Sequence, residues 1–217
     1  MARALATFGW SRHGWRLLAS VALSCGIWSM HFIAMLGFGI ADTDVHYDVP
    51  LTLFSLLLAV VVVGMGIFSV GYGQSKRRLM LGGLGTGLGI AGMHYVGMAA
   101  LRLHGHLTYS WPFVAVSVVV AVLAATSALW AALSVSRPWP CAGAALAMGL
   151  AVSCMHHLGM AALRVRVIPA RSALPGASGT DFIVPLTILV GSFLFLTAAF
   201  VALSPSELAL RASASAT

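Results

Sequence analysis

Six apolar runs of about 20 residues each leave this chain few choices of fold. A run of that length crosses the ~30 Å hydrocarbon layer of a bilayer as an α-helix. Inside lipid a helix also satisfies its own backbone hydrogen bonds, which a loop cannot do. The runs fall at roughly 17–39, 51–72, 79–101, 113–134, 142–163 and 183–203. The soluble alternative fails on composition: 60% of the residues are hydrophobic and only 8% charged, too few charges to solvate the surface of a globule. The expected fold class is an all-α membrane protein of six transmembrane helices. It forms a single integral-membrane domain over 1–217, with no soluble output domain and no segment long enough for a catalytic or DNA-binding one.

The first run follows Arg3, Arg12 and Arg16, as a signal sequence would, but it is too long for a signal core. The net charge of +7 is mostly an orientation signal rather than a nucleic-acid footprint. Arg3, Arg12, Arg16, Lys76, Arg77, Arg78, Arg137 and Arg211 fall on one side of a six-span chain, Arg102, Arg164, Arg166 and Arg171 on the other. The positive-inside rule makes the first side cytoplasmic, with both termini. Asp42, Asp44, Asp48 and Asp181 lie on the outer side. Trp10, Trp15, Trp111 and Trp139 sit near span ends, as interfacial aromatic residues do. Cys25, Cys141 and Cys154 show no CxxC spacing and, being odd in number, no disulfide framework.

The chain also repeats itself. "WSMHFIAMLGF" begins at 28, "AGMHYVGMAAL" at 91 and "SCMHHLGMAAL" at 153, sharing the pattern Met-His-x-x-x-Met. The histidines His31, His94 and His156 are 63 and 62 residues apart. The even runs echo one another too, each with a proline at its entrance, Pro50, Pro112 and Pro185, where the first-turn N–H has no helical partner anyway. The unit is therefore a two-helix pair used three times, at about 15–75, 76–138 and 139–205. Two spans per unit give all units the same orientation, so the three motifs reach the same depth, in the outer part of the odd helices. The many glycines of the third run read as close-approach positions between helices.

Each histidine and the second methionine of its motif are i and i+4, stacked on one helix face: His31/Met35, His94/Met98 and His156/Met160. Met30, Met93 and Met155 flank that face. Imidazole is costly to expose to hydrocarbon, so three histidines at one depth are expected to face the bundle interior. Imidazole with soft thioether suits copper, Cu(I) above all, and the spans hold no carboxylate for a hard cation. Haem held by axial His or Met is an open alternative, and so is a purely structural role in hydrogen bonding between helices.

These three motifs on alternate helices resemble the MHYT domain, a bacterial integral-membrane sensor module, over nearly the whole chain. The resemblance implies copper held by Met30, His31, Met35, Met93, His94, Met98, Met155, His156 and Met160. It further implies sensing of a small diatomic gas such as O2, CO or NO, a bacterial inner-membrane location and a cytoplasmic signalling output. Two features depart from the family pattern. The residues after each histidine read Phe32-Ile33, Tyr95-Val96 and His157-Leu158, so the family's Tyr-Thr survives only as Tyr95. The family commonly has seven spans and a fused output domain, so here a separate cytoplasmic signalling partner is expected. Two other readings compete, a copper-handling transporter and a haem-binding electron-transfer protein. A hydrolytic enzyme is not expected, because no acid–base carboxylate lies in a span.

Overall fold

A computed structural model describes residues 10–39, 44–71, 75–135, 137–168 and 173–203, without the side chains of Trp10, Ser11 and Pro138. Arg3, Asp42, Arg171, Arg211 and the side chain of Trp10 lie outside the described residues. Six long helices follow the six apolar runs: α1 (Trp10–Leu36), α2 (Val49–Gly71), α3 (Lys76–Ala99), α4 (Trp111–Ser134), α5 (Pro138–Ala162) and α6 (Val184–Leu203). A π turn over Gly179–Ile183 leads into α6. All six are long and apolar enough to cross a membrane. Pro50, Pro112 and Pro185 each stand second in their helix, as their entrance positions predict.

The first helix starts earlier than its apolar run. Arg12 and Arg16 lie inside α1 rather than before it, and Arg16 is buried. Its guanidinium donates to the Gly71 carbonyl (2.5 Å) at the end of α2, and its Cζ lies 5.9 Å from the Phe68 ring centroid. A cation on a last-turn carbonyl is favourable for α2.

Sequential neighbours pack together from α1 to α5, and α6 packs on α1. Small residues make the tightest seams. A Cβ on Gly83 would overlap Thr126, and one on Gly87 would overlap the backbone of Val122, so α3 and α4 touch nearly backbone to backbone. Between α1 and α2 the seam is polar. Ser24 donates to the Ala59 carbonyl (3.1 Å), and the Trp28 indole donates to Ser55 Oγ (3.0 Å). Burial is uneven: 44% of the α1 and α3 spans is enclosed, against 17% for α5 and 6% for α6.

The segments joining α1 to α2, α3 to α4 and α5 to α6 build a small polar cap. Strand β1 (His46–Tyr47) pairs antiparallel with β2 (Leu101–Arg102) on one side and β5 (Ala177–Ser178) on the other. Strands β3 (Gly105–Tyr109) and β4 (Leu163–Val167) form a second antiparallel pair, with His106 opposite Arg166 and Thr108 opposite Arg164. Asp48 ties the cap to α2. One carboxylate oxygen accepts the Leu51 N–H (3.0 Å) and the other accepts Arg102 (2.7 Å), which together hold its pKa below the usual carboxylate range. Tyr47 points down into the bundle, buried, and donates to the Met35 carbonyl (3.3 Å); burial pushes its phenol up to about 12. Gly176, at φ +99°, sits where a side chain would strike the Tyr47 carbonyl.

Candidate metal centre

The odd helices deliver their motifs to one place. His31 from α1, His94 from α3 and His156 from α5 are all buried, at 1%, 0% and 2% exposure. Their rings stand as three blades, with centroids 4.8, 5.1 and 5.2 Å apart and interplanar angles of 77°, 75° and 89°. The inward atoms are the Nδ1 nitrogens. His31 Nδ1 lies 3.0 Å from His156 Nδ1 and 3.1 Å from His94 Nδ1, and the three ligand atoms fall within 4.8 Å of one another. Among the described residues this is the only cluster of three or more His, Cys, Asp or Glu side chains close enough to share an ion.

Three neutral imidazoles cannot satisfy this arrangement by hydrogen bonding alone. Each carries one N–H. If His31 holds its proton on Nδ1, then His94 must either oppose it proton to proton or place its own proton on Nε2. If His31 holds the proton on Nε2, that N–H is stranded, because the Nε2 atoms of His31 and His94 are both buried without a partner. A cation among the three Nδ1 lone pairs satisfies the three inward nitrogens at once, with the protons then on the outward Nε2 atoms. Two edges of 3.0 and 3.1 Å and a third of at most 4.8 Å put the equidistant point no more than about 2.5 Å from each nitrogen, within reach of the usual ~2.0–2.1 Å metal–imidazole bond. The donor set therefore fits a small metal ion.

The methionines belong to the same core. Met35, Met93, Met98 and Met155 are almost fully enclosed, while Met30 and Met160 are partly buried against the cluster. Of the nine residues singled out in the sequence, the structure brings the three histidines into direct contact and places the six methionines in or against the hydrophobic core of the bundle. A ring also follows each histidine and meets it edge to face: Phe32 at 4.7 Å, Tyr95 at 4.9 Å and His157 at 5.2 Å between centroids. Tyr95 is anchored to Ser117 on α4 (2.7 Å). Trp28 packs on Phe32 with centroids 4.4 Å apart.

Two residues at the site escaped the sequence reading. Gly97 and Gly159 each stand third after a motif histidine, and each lies against the histidine of the preceding repeat. A Cβ on Gly97 would come 2.5 Å from His31 Nε2; one on Gly159 would overlap the His94 ring, 2.8 Å from Cδ2 and 3.1 Å from Cε1. The signal was present, since the motif is better written Met-His-x-x-small-Met, with Ala34 in the first copy.

Comparison with known proteins agrees with this architecture. Residues 25–83 and 87–145 match the family MHYT, described as a bacterial signalling protein N terminal repeat. Those segments carry the first two motifs; the third lies beyond them. The chain is 37% identical over 209 residues to the bifunctional diguanylate cyclase/cyclic di-GMP phosphodiesterase MucR of Pseudomonas aeruginosa, covering 94% of this chain and 30% of that protein. It is 36% identical over 175 residues to the cyclic di-GMP phosphodiesterase NbdA of the same organism, covering 77% and 22%. It is 32% identical over 187 residues to an uncharacterized signaling protein of Caulobacter vibrioides, covering 85% and 21%. The chain spans less than a third of the length of these curated relatives. No solved structure matches it.

Proposed function

This chain belongs to the MHYT family of bacterial signalling proteins, and from that premise we propose that it is a copper-binding sensor of a small diatomic gas in a bacterial inner membrane. His31, His94 and His156 would hold the ion through Nδ1, with methionines from among Met30, Met35, Met93, Met98, Met155 and Met160 completing its surroundings. The ion would supply a coordination position for O2, CO or NO. The protein's own residues would bury that position, exclude water from it and tie it to three helices. Both termini would face the cytoplasm, where a signalling output reads the helices. Ligand shifts helix packing only to the extent that it binds two packings unequally.

The observation that carries this reading is the convergence of three buried Nδ1 atoms at 3.0–3.1 Å from a common member, with no carboxylate in the cluster. The same geometry weighs against the alternatives. The imidazole rings touch one another, leaving no slot for a porphyrin plane between them, which favours one small ion over haem. A conduction path needs ligands at successive depths. Of the inner-half methionines Met65, Met80 and Met148, the first two turn outward, at 57% and 64% exposure, and Met148 alone packs against the core. The test is elemental and optical analysis of detergent-purified protein, wild type beside a His31→Ala/His94→Ala/His156→Ala variant. Near-stoichiometric copper lost in the variant supports the reading. A haem Soret band lost in the variant, or no copper after Cu(I) reconstitution, overturns it.

A further inference from the structure

Metal-bound histidines usually have their ring orientation fixed from behind, by a hydrogen bond from the distal nitrogen to a carboxylate, carbonyl or water. Here that bond is missing for two of the three: Nε2 of His31 and Nε2 of His94 are buried and have no partner. What stands behind each ring is a glycine from the next repeat, Gly97 behind His31 and Gly159 behind His94. In front, His31 Nδ1 already lies 3.0 and 3.1 Å from the other two rings. Each ring is held between a surface that lacks a side chain and the neighbouring imidazoles.

We propose that Gly97 and Gly159 are the positioning residues of the three-histidine site. Each seats the imidazole of the preceding repeat by shape alone and turns its Nδ1 inward. The seats interlock the repeats, because unit two supplies the floor for the histidine of unit one, and unit three supplies the floor for that of unit two. The site then exists only while α1, α3 and α5 are packed in this register, and a small change in their spacing alters all three ligands together. This is the coupling a membrane sensor needs between a buried ion and its helices, and it rests on the copper reading for its ligand.

A methyl on Gly97 at 2.5 Å from Nε2 is closer than comfortable contact, ~3.5 Å, by about 1 Å. The ring cannot advance by that amount without colliding with His94 and His156, so it must turn or α1 and α3 must part. The test is Cu(I) affinity by competition with a chromophoric chelator, in the full chain, for Gly97→Ala, Gly159→Ala and the control Gly92→Ala. A Cβ on Gly92 meets only Leu58 Cδ2, at 3.7 Å. Each seat variant is expected to bind Cu(I) at least about tenfold more weakly, and the control within about twofold. Affinity in Gly97→Ala equal to wild type overturns the proposal. A thermal cycle separates the seat from general damage: the loss in Tm from Gly97→Ala should shrink to under about half in a His31→Ala background and stay undiminished in His94→Ala. A loss that His31→Ala leaves unchanged also overturns it. Wild type that takes up no Cu(I) refutes the copper reading, and the thermal cycle alone then decides whether the glycines seat the rings.

Discussion

Gly85 and Gly87 lie two residues apart on α3, and alanine at each should act with opposite sign. At Gly85 an added Cβ meets nothing within 4 Å. Its effect reduces to helix propensity, in which alanine exceeds glycine by about 0.8–1 kcal/mol. At Gly87 the Cβ would lie 2.7 Å from the Val122 nitrogen and 2.9 Å from the Ala121 carbonyl carbon, and closer still to Val122 Cα. Comfortable contacts between carbons begin near ~3.5 Å. All the obstructing atoms are backbone, so no side-chain rotation relieves the overlap and the α3–α4 seam must open. Overpacking of this kind costs about 1–3 kcal/mol. Opening the seam also loosens the Gly83–Thr126 contact one turn away, which places Gly87→Ala toward the upper end. Subtracting the propensity gain leaves about 1–2 kcal/mol of net destabilisation. At roughly 2–4 °C per kcal/mol for a chain of this size, Gly87→Ala should melt about 2–8 °C below wild type, and Gly85→Ala at or above it. Intrinsic tryptophan fluorescence on heating in detergent measures both. Gly87→Ala melting at or above wild type would refute the close-packing argument, and so would a common shift of the two variants.

Other parts of the structure make their own predictions. Asp48 has a depressed pKa, chiefly from the Leu51 N–H and then from Arg102, so it stabilises the cap above the unfolded carboxylate pKa of about 3.9 and stops doing so as pH falls through its lower folded value. The Tm difference between wild type and Asp48→Asn should therefore be open near about pH 6 and narrow as pH falls below the unfolded carboxylate pKa of about 3.9, as a pH series of melts would show. Trp28→Phe removes the indole bond to Ser55 and should cost about 0.5–1.5 kcal/mol, with Ser55→Ala adding less than its single-variant effect in the double variant. Positions at the two ends of the bundle report orientation. In intact spheroplasts an impermeant thiol reagent should label Thr108→Cys on β3, and should label Ser75→Cys before α3 only after lysis. The reverse pattern would invert the proposed topology.

Much of the architecture was legible in the sequence because a bilayer imposes length so strictly. Six runs gave six helices, and the spacing of His31, His94 and His156 marked one recurring motif on each of α1, α3 and α5. Legibility failed where lipid and protein interior look alike. Within an all-apolar helix no polar face marks which side is buried, so nothing distinguished α2, 39% enclosed, from the peripheral α6, 6% enclosed, neither of which carries a histidine motif. Arg16 reads as a flanking charge, yet it is buried because the α2 carbonyl of Gly71 lies within its reach. The strands of the cap are mostly two residues long, too short for alternation to show, and their pairing joins residues as distant as Tyr47 and Ala177. At the site the sequence identified the histidines but neither which nitrogen faces inward nor what holds it there. Gly97 read as one of the close-approach glycines of the third run, and Gly159 was not singled out; their partners are imidazoles, a fact that only the fold supplies.

The central claim is that His31, His94 and His156 make one site rather than three interhelical contacts. Cu(I) titration of wild type beside the single variants His31→Ala, His94→Ala and His156→Ala, each by chelator competition, tests this most directly. One tight site per wild-type chain, weakened in all three variants to a similar degree and by at least about tenfold, is the result expected of a shared ion. Tight binding retained in any one variant would contradict it.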